Sequence, residues 1–161
     1  MISPIKADMQ VQIVNFLRNH DLAVVATVSD HKIPEAATVG YYFDDDFNFY
    51  FLTRKESRKA QNLARNPNVA AVVGTTAGPN SVQLEGKAEV LQSGSEEYKK
   101  LLVKFAAIKV LYYGPFLKMA GIDFVIVKVE INWLRWLDIN EMTDREEFYQ
   151  LLPETNLPSD Q

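Results

Sequence analysis

The spacing of apolar residues changes several times along the chain, and each change predicts an element. From Met9 to His20 the apolar positions Met9, Ile13, Phe16 and Leu17 recur at helical spacing, with Asp8 placed as an N-cap and Asn19-His20-Asp21 closing the pattern. Leu22 to Val28 (LAVVATV) is a nearly continuous β-branched run, which predicts a strand buried on both faces. Ser29 to Lys32 turns the chain into a second strand, Ile33 to Phe43. After Asp44-Asp45-Asp46, Phe47, Phe49 and Phe51 share one face of a strand ending at Thr53, while Asn48, Tyr50 and Leu52 share the other.

Ser57 to Asn66 predicts a helix with Ser57 as N-cap, stopped by Asn66-Pro67. Two more strands follow, Asn68 to Thr76 and Ser81 to Leu91, joined by a turn at Ala77 to Asn80. Ser95-Glu96-Glu97 opens a helix reaching about Lys104, and a second helical piece runs to Lys118 with a break at Gly114-Pro115. In the last long strand, Ile122 to Leu137, Val127, Val129, Ile131 and Trp133 form the apolar face against polar Lys128, Glu130 and Asn132. Thr143-Asp144 then predicts the cap of a short helix ending near Leu152-Pro153.

About six strands with helices set only between some of them predict an α+β fold, a split β-barrel of mainly antiparallel, Greek-key type with peripheral helices. The early strands are joined by turns too short for parallel crossovers, which argues against a dinucleotide-binding α/β sheet.

Composition narrows the chemistry. With 161 residues, 47% hydrophobic and 24% charged, the chain is expected to be one domain over 1–156 with a tail at 157–161. The absence of cysteine removes disulfides, thiolate metal sites and cysteine nucleophiles. A net charge of −4 argues against nucleic acid or an anionic membrane as partner. The opening MISPIKADMQ has no signal-peptide core, so the protein is expected to be soluble and cytoplasmic. His20 and His31 fall at predicted turns and read as surface residues, and Asp44-Asp45-Asp46 lacks the ligand spacing of a calcium loop.

One segment runs against this acidic background. Arg54-Lys55-Glu56-Ser57-Arg58-Lys59 holds four of the 17 basic residues and one of the 21 acidic ones, a local charge of +3. If Ser57 caps the helix, Arg58 and Lys59 stand in its first turn, where the dipole disfavours cations by about 0.3 to 1 kcal/mol each. A bound anion reverses the sign of that cost, and helix amides, a capping hydroxyl and two cations suit a phosphate. A solvated basic turn explains the same charges.

The run FYFLTRKESRKAQNLARNP, Phe49 to Pro67, resembles the pyridoxamine 5'-phosphate oxidase-like FMN-binding split-barrel superfamily: strand, Thr, short turn, Ser-Arg-Lys-Ala, helix, Asn-Pro. Ala26-Thr27-Val28, Pro34 and Gly86-Lys87-Ala88-Glu89 extend the resemblance, which is closer to the general-stress-protein-like branch than to the true oxidases. It implies that Thr53, Ser57, Arg58 and Lys59 surround the FMN phosphate and ribityl chain, that Ala37, Thr38, Val39 and Tyr42 line the flavin ring, and that Leu52 also belongs to the cofactor site. Ala37 and Tyr42 stand where true oxidases carry an Arg and a Lys, so fewer cations remain for the phosphate. Ser81, Gln83 and Trp133 are further candidates for the ring, and Tyr112 to Phe116 could form either a lid or core packing. The Arg- and His-bearing C-terminal segment of the true oxidase is not expected here.

The resemblance implies a flavin-dependent oxidoreductase that moves hydride to or from a small molecule through FMN, as a homodimer with flavin at the subunit interface. No side chain stands out as a proton donor. Two alternatives stay open: a non-catalytic flavin-binding or stress-related protein, and a haem or deazaflavin binder on the same barrel.

Overall fold

The computed structural model describes residues 2–4, 7–74, 78–108, 121–138 and 148–150. Short polar turns join β2 (Leu22–Val28) to β3 (Pro34–Phe43) and β3 to β4 (Asn48–Arg54), so the three form an antiparallel meander. At the second turn Asp44 does the closing. Its Oδ1 accepts from the backbone of Asp46 and Asn48, and its Oδ2 from the Asn48 amide and the Tyr50 hydroxyl.

Helix α2 (Arg58–Arg65) then carries the chain across to β5 (Asn68–Val73), which lies beside β2 rather than β4. That is the Greek-key step. β6 (Asn80–Val90) pairs with β5, and the long β7 (Phe124–Asp138) pairs with both β6 and β4. The ring β7-β4-β3-β2-β5-β6 is therefore a closed six-stranded antiparallel barrel, as the sequence led us to expect. Two short strands, β1 (Ile2–Pro4) and β8 (Phe148–Gln150), pair in parallel, and β8 joins β7 at Leu134.

The barrel interior holds Ala23, Val25, Val39, Tyr41, Phe49, Phe51, Val82, Leu84, Val127 and Val129 among its buried residues, and burying each large side chain contributes roughly 1.5 to 3 kcal/mol. Ile13 and Leu17 enter the same core from α1 (Ala7–Arg18), and Leu63 enters from α2. α1 starts one residue before Asp8, which places that acid in the first turn rather than at the cap. The buried Tyr41 hydroxyl donates to the Leu17 carbonyl at 2.5 Å, tying α1 to β3.

A second apolar cluster lies outside the barrel. α3 (Glu96–Ala106), capped by Ser95, lays Tyr98, Leu101 and Phe105 over Tyr50, Leu52 and Ile126.

Three further expectations fail. β2 is not buried on both faces: Ala23, Val25 and Thr27 are buried, while Leu22, Val24, Ala26 and Val28 are half-covered on the outer wall. The phase of β7 changes part-way, because Glu85 pairs with Trp133 but Gly86 with Ile131, leaving Asn132 as an extra residue in a β-bulge. Trp133 therefore leaves the inward face, and Leu134 and Trp136 take it over; Trp136 packs edge-on to Phe16 at 5.1 Å. Last, Phe148–Gln150 is a strand, where a short helix was expected up to Leu152. Thr76, the helical piece after residue 108 up to Lys118 with its aromatic run Tyr112 to Phe116, the Thr143-Asp144 cap and the tail 157–161 lie outside the described residues.

Candidate functional site

β4 leads into the basic segment. Its inward positions Phe49 and Phe51 are core, and the next one, Thr53, is also buried but polar. The hydrogen bond that satisfies it is local: Thr53 Oγ1 lies 2.9 Å from Ser57 Oγ across the turn. Ser57, in extended backbone at φ −67° and ψ 149°, is the N-cap of α2 and accepts from the Ala60 amide. The next two amides, of Arg58 and Lys59, have no acceptor inside the helix. No acid stands in that first turn.

The four cations of the segment have different roles. Arg54 pairs with Glu56 at 3.5 Å, and Arg58 reaches the carboxylate of Glu35 on β3. Lys59 is half-buried, and burial pushes its ammonium below the ordinary lysine range. Among the described residues no carboxylate pairs with Lys59. The Lys55 amide donates to the Asp123 carbonyl at 2.9 Å, and its residue borders a groove of about 740 Å³ with Leu91, Tyr98, Leu102 and Phe124. A capping hydroxyl, two helix amides and a desolvated lysine make a local environment suited to an anion, so the residues present fit the phosphate end of a flavin nucleotide.

Glu35 is the residue beside this segment that sequence reasoning missed. Its other carboxylate oxygen accepts from Asn62 Nδ2 on α2 at 2.9 Å, and the same nitrogen donates to the buried Thr27 hydroxyl at 3.0 Å. The signal was present: Glu35 shares the inward alternation of Ala37, Val39 and Tyr41, and a carboxylate on that face needs partners.

The other expected site residues fall into distinct places. Ala37 is half-covered and Thr38 exposed on β3, whereas Val39 points into the barrel core, leaving only its backbone for a ligand. Leu52 is enclosed beneath α3. Tyr42 lies against Tyr50, with the Lys104 ammonium 5.9 Å from its ring centre. Ser81, Gln83 and Trp133 stand on β6 and β7, where Gln83 Oε1 faces Arg135 at 3.5 Å.

Two cross-strand rows of the outer wall connect these places. One runs Thr38, Val24, Val72, Gln83, Arg135; the other runs Ala36, Ala26, Ala70, Glu85, Trp133. Small and β-branched residues fill the middle of this belt, and a groove of about 270 Å³ lies over Val24, Ala26, Val72, Gln83 and Trp133. At strand spacings of about 4.8 Å, Thr38 and Gln83 are roughly 15 Å apart along the wall. The expected residues thus form two groups on one chain, one at β3, β4 and α2 and one at β6 and β7.

Residues 9–137 match the family model described as pyridoxamine 5'-phosphate oxidase. The chain belongs to that family. General stress protein 26 of Bacillus subtilis is 30% identical over 89 residues, a match covering 53% of this chain and 62% of that protein. A pyridoxamine 5'-phosphate oxidase-related, FMN binding protein of Nostoc punctiforme superposes with a TM-score of 0.62 at 13% identity, covering 89% of this chain and 95% of that one. HutZ, the haem storage protein of Vibrio cholerae, superposes with a TM-score of 0.64 at 16% identity, covering 76% and 89%. At these identities the two structures share the fold with this chain.

Among the described residues no group of three or more His, Asp or Glu could hold a metal, and no helix is long and apolar enough to cross a membrane. His20 Nδ1 donates to the Phe16 carbonyl, 2.8 Å away, and the exposed His31 stands 3.7 Å from Asp30.

Proposed function

We propose that this member of the pyridoxamine 5'-phosphate oxidase family binds FMN and works as a flavin-dependent oxidoreductase on a small molecule. The observation that carries the reading is the start of α2: the Ser57 hydroxyl, the Arg58 and Lys59 amides, and a half-buried Lys59 with no carboxylate partner among the described residues. These groups would hold the phosphate, with Thr53 fixing the Ser57 hydroxyl and Ala37 and Thr38 beside the ring. When bound, the flavin supplies hydride acceptance and donation, and the protein supplies orientation and anchoring. The match to General stress protein 26 supports a place in the stress-related branch.

The reading includes a homodimer. One chain keeps Thr38 and Gln83 roughly 15 Å apart along the wall, too far for both to touch one flavin ring, whereas two copies packed belt to belt about a two-fold axis would bring the β3 side of one against the β6–β7 side of the other. The small residues Ala26, Ala36 and Ala70 allow that close approach.

The first test is the absorption spectrum of the purified protein, before and after incubation with FMN. Two flavin bands, bleached by NADH or NADPH and restored by an acceptor, are expected. A Soret band, or no flavin uptake after incubation, overturns the reading; flavin uptake without reduction by any donor leaves a flavin-binding protein and overturns the oxidoreductase.

A further inference from the structure

The first turn of α2, which the proposed site needs for a phosphate, contains an arginine already engaged. Arg58 gives its guanidinium to Glu35, and the two partners are held very differently. The Glu35 side chain is 17% exposed and is fixed from behind by Asn62, itself bonded to Thr27. The Arg58 side chain is 80% exposed and long, so it can turn while the carboxylate stays. An anion arriving at Ser57 and the first turn of α2 therefore meets a fixed negative charge and a cation that must be drawn away from it.

We propose that Glu35 is a specificity-determining residue: an internal anion that competes with an incoming phosphate for Arg58 and so sets how strongly the site prefers a phosphorylated flavin over the same flavin without phosphate. The proposal rests on the FMN reading above. An exposed ion pair is weak enough for a phosphate, with more charge and more acceptor oxygens, to displace it. The displaced carboxylate keeps Asn62 as a donor but lies within side-chain reach of the phosphate, and that repulsion lowers affinity for FMN while leaving riboflavin untouched. The tightness of FMN binding is then a difference between two anions competing for one guanidinium.

The test titrates FMN and riboflavin onto the full chain, following flavin fluorescence. Glu35→Gln keeps an oxygen for Asn62 and removes the charge. It is expected to tighten FMN by about three- to tenfold and to leave riboflavin unchanged. In an Arg58→Ala background the same change should bring a smaller gain, because no guanidinium remains to be released. An unchanged or weaker FMN affinity in Glu35→Gln, or an equal shift for FMN and riboflavin, overturns the proposal, since a change in packing alone moves both ligands together. Glu35→Ser, small and polar, is the second variant should Gln unfold the cluster, with the same expected sign. If the unsubstituted chain takes up neither flavin, the FMN reading fails on its own account, and inorganic phosphate becomes the probe. Glu35→Gln should then show a larger phosphate-induced rise in Tm than the unsubstituted chain, and an equal rise overturns the competition between Glu35 and the anion.

Discussion

The Thr53 and Ser57 hydroxyls meet at 2.9 Å, so the last buried position of β4 is hydrogen-bonded to the residue that starts α2. Strand exit and helix entry are thereby one unit, and the anion-directed amides of Arg58 and Lys59 take their orientation from the barrel wall.

Removing that link should cost both stability and ligand. Ser57→Ala loses the N-cap and strands the buried Thr53 hydroxyl, and a loss of about 1 to 2 kcal/mol is expected from urea denaturation. FMN affinity, by fluorescence titration, should fall alongside. Ser57→Thr, which keeps a capping oxygen, should recover most of both.

Lys59 is expected to separate the two quantities. Its ammonium is partly desolvated and gains no ion pair among the described residues, so Lys59→Met should leave the unliganded chain as stable as before or slightly more so. The sign follows from linkage: the folded pKa lies below the unfolded one, so the charged lysine costs stability at neutral pH, and the cost is relieved as pH rises through the folded value towards the ordinary 10.5. Flavin retention on a desalting column should drop in the same variant.

The buried phenols set an alkaline limit. Burial first and the Asp21 charge second push Tyr41 far above its usual 10.0, while burial first and the hydrogen bond to Asp44 second do the same to Tyr50. Folded pKa values above the unfolded ones mean that the stability held by these neutral phenols is complete below pH 10 and is lost as pH rises further. Each contributes a slope of about 1.4 kcal/mol per pH unit once the unfolded phenol ionises. Tyr41→Phe should cost about 1 kcal/mol at pH 7 through its lost bond to Leu17, yet flatten the decline between pH 10 and 11 by one proton.

The two tryptophans offer a paired test of the belt. Trp136→Ala empties an inward position beside Phe16 and should destabilise the fold by about 3 kcal/mol, read from the urea midpoint. Trp133→Ala, on the outer wall, should instead shift the assembly towards monomer in light scattering, with a smaller effect on monomer stability. A monomeric unsubstituted chain at micromolar concentration would sink the dimer.

Gly86 should tolerate no side chain. A Cβ there would lie 2.3 Å from the Glu130 carbonyl oxygen, beside the bulge at Asn132, and Gly86→Ala is expected to cost about 1 to 3 kcal/mol by thermal melting.

Much of this was legible before the structure. Alternation in Phe47 to Thr53 marked both faces of β4, because one side meets the barrel core and the other meets α3. Ser57 was visible as a cap, since a hydroxyl before a helical run has few other uses. What escaped was long-range. Nothing near Trp133 announces that Asn132 is an extra residue; the bulge exists because of how β7 meets β6. Glu35 was passed over because its partners, Arg58 and Asn62, come from α2, more than twenty residues along the chain. The half-covered outer face of β2 likewise depends on what packs against the barrel, which apolar content alone does not encode.

β7 bonds to β4 along one side and to β6 along the other, so a single late strand seals the ring. A chain halted before Phe124 has no cylinder. It is an open sheet with two unpaired rims, each able to recruit a foreign strand. Sealing joins residues far apart in sequence and is slow to nucleate, so the exposure of those rims lasts until the final third of the chain has been made. Both rims, on β4 and on β6, are covered together when β7 docks.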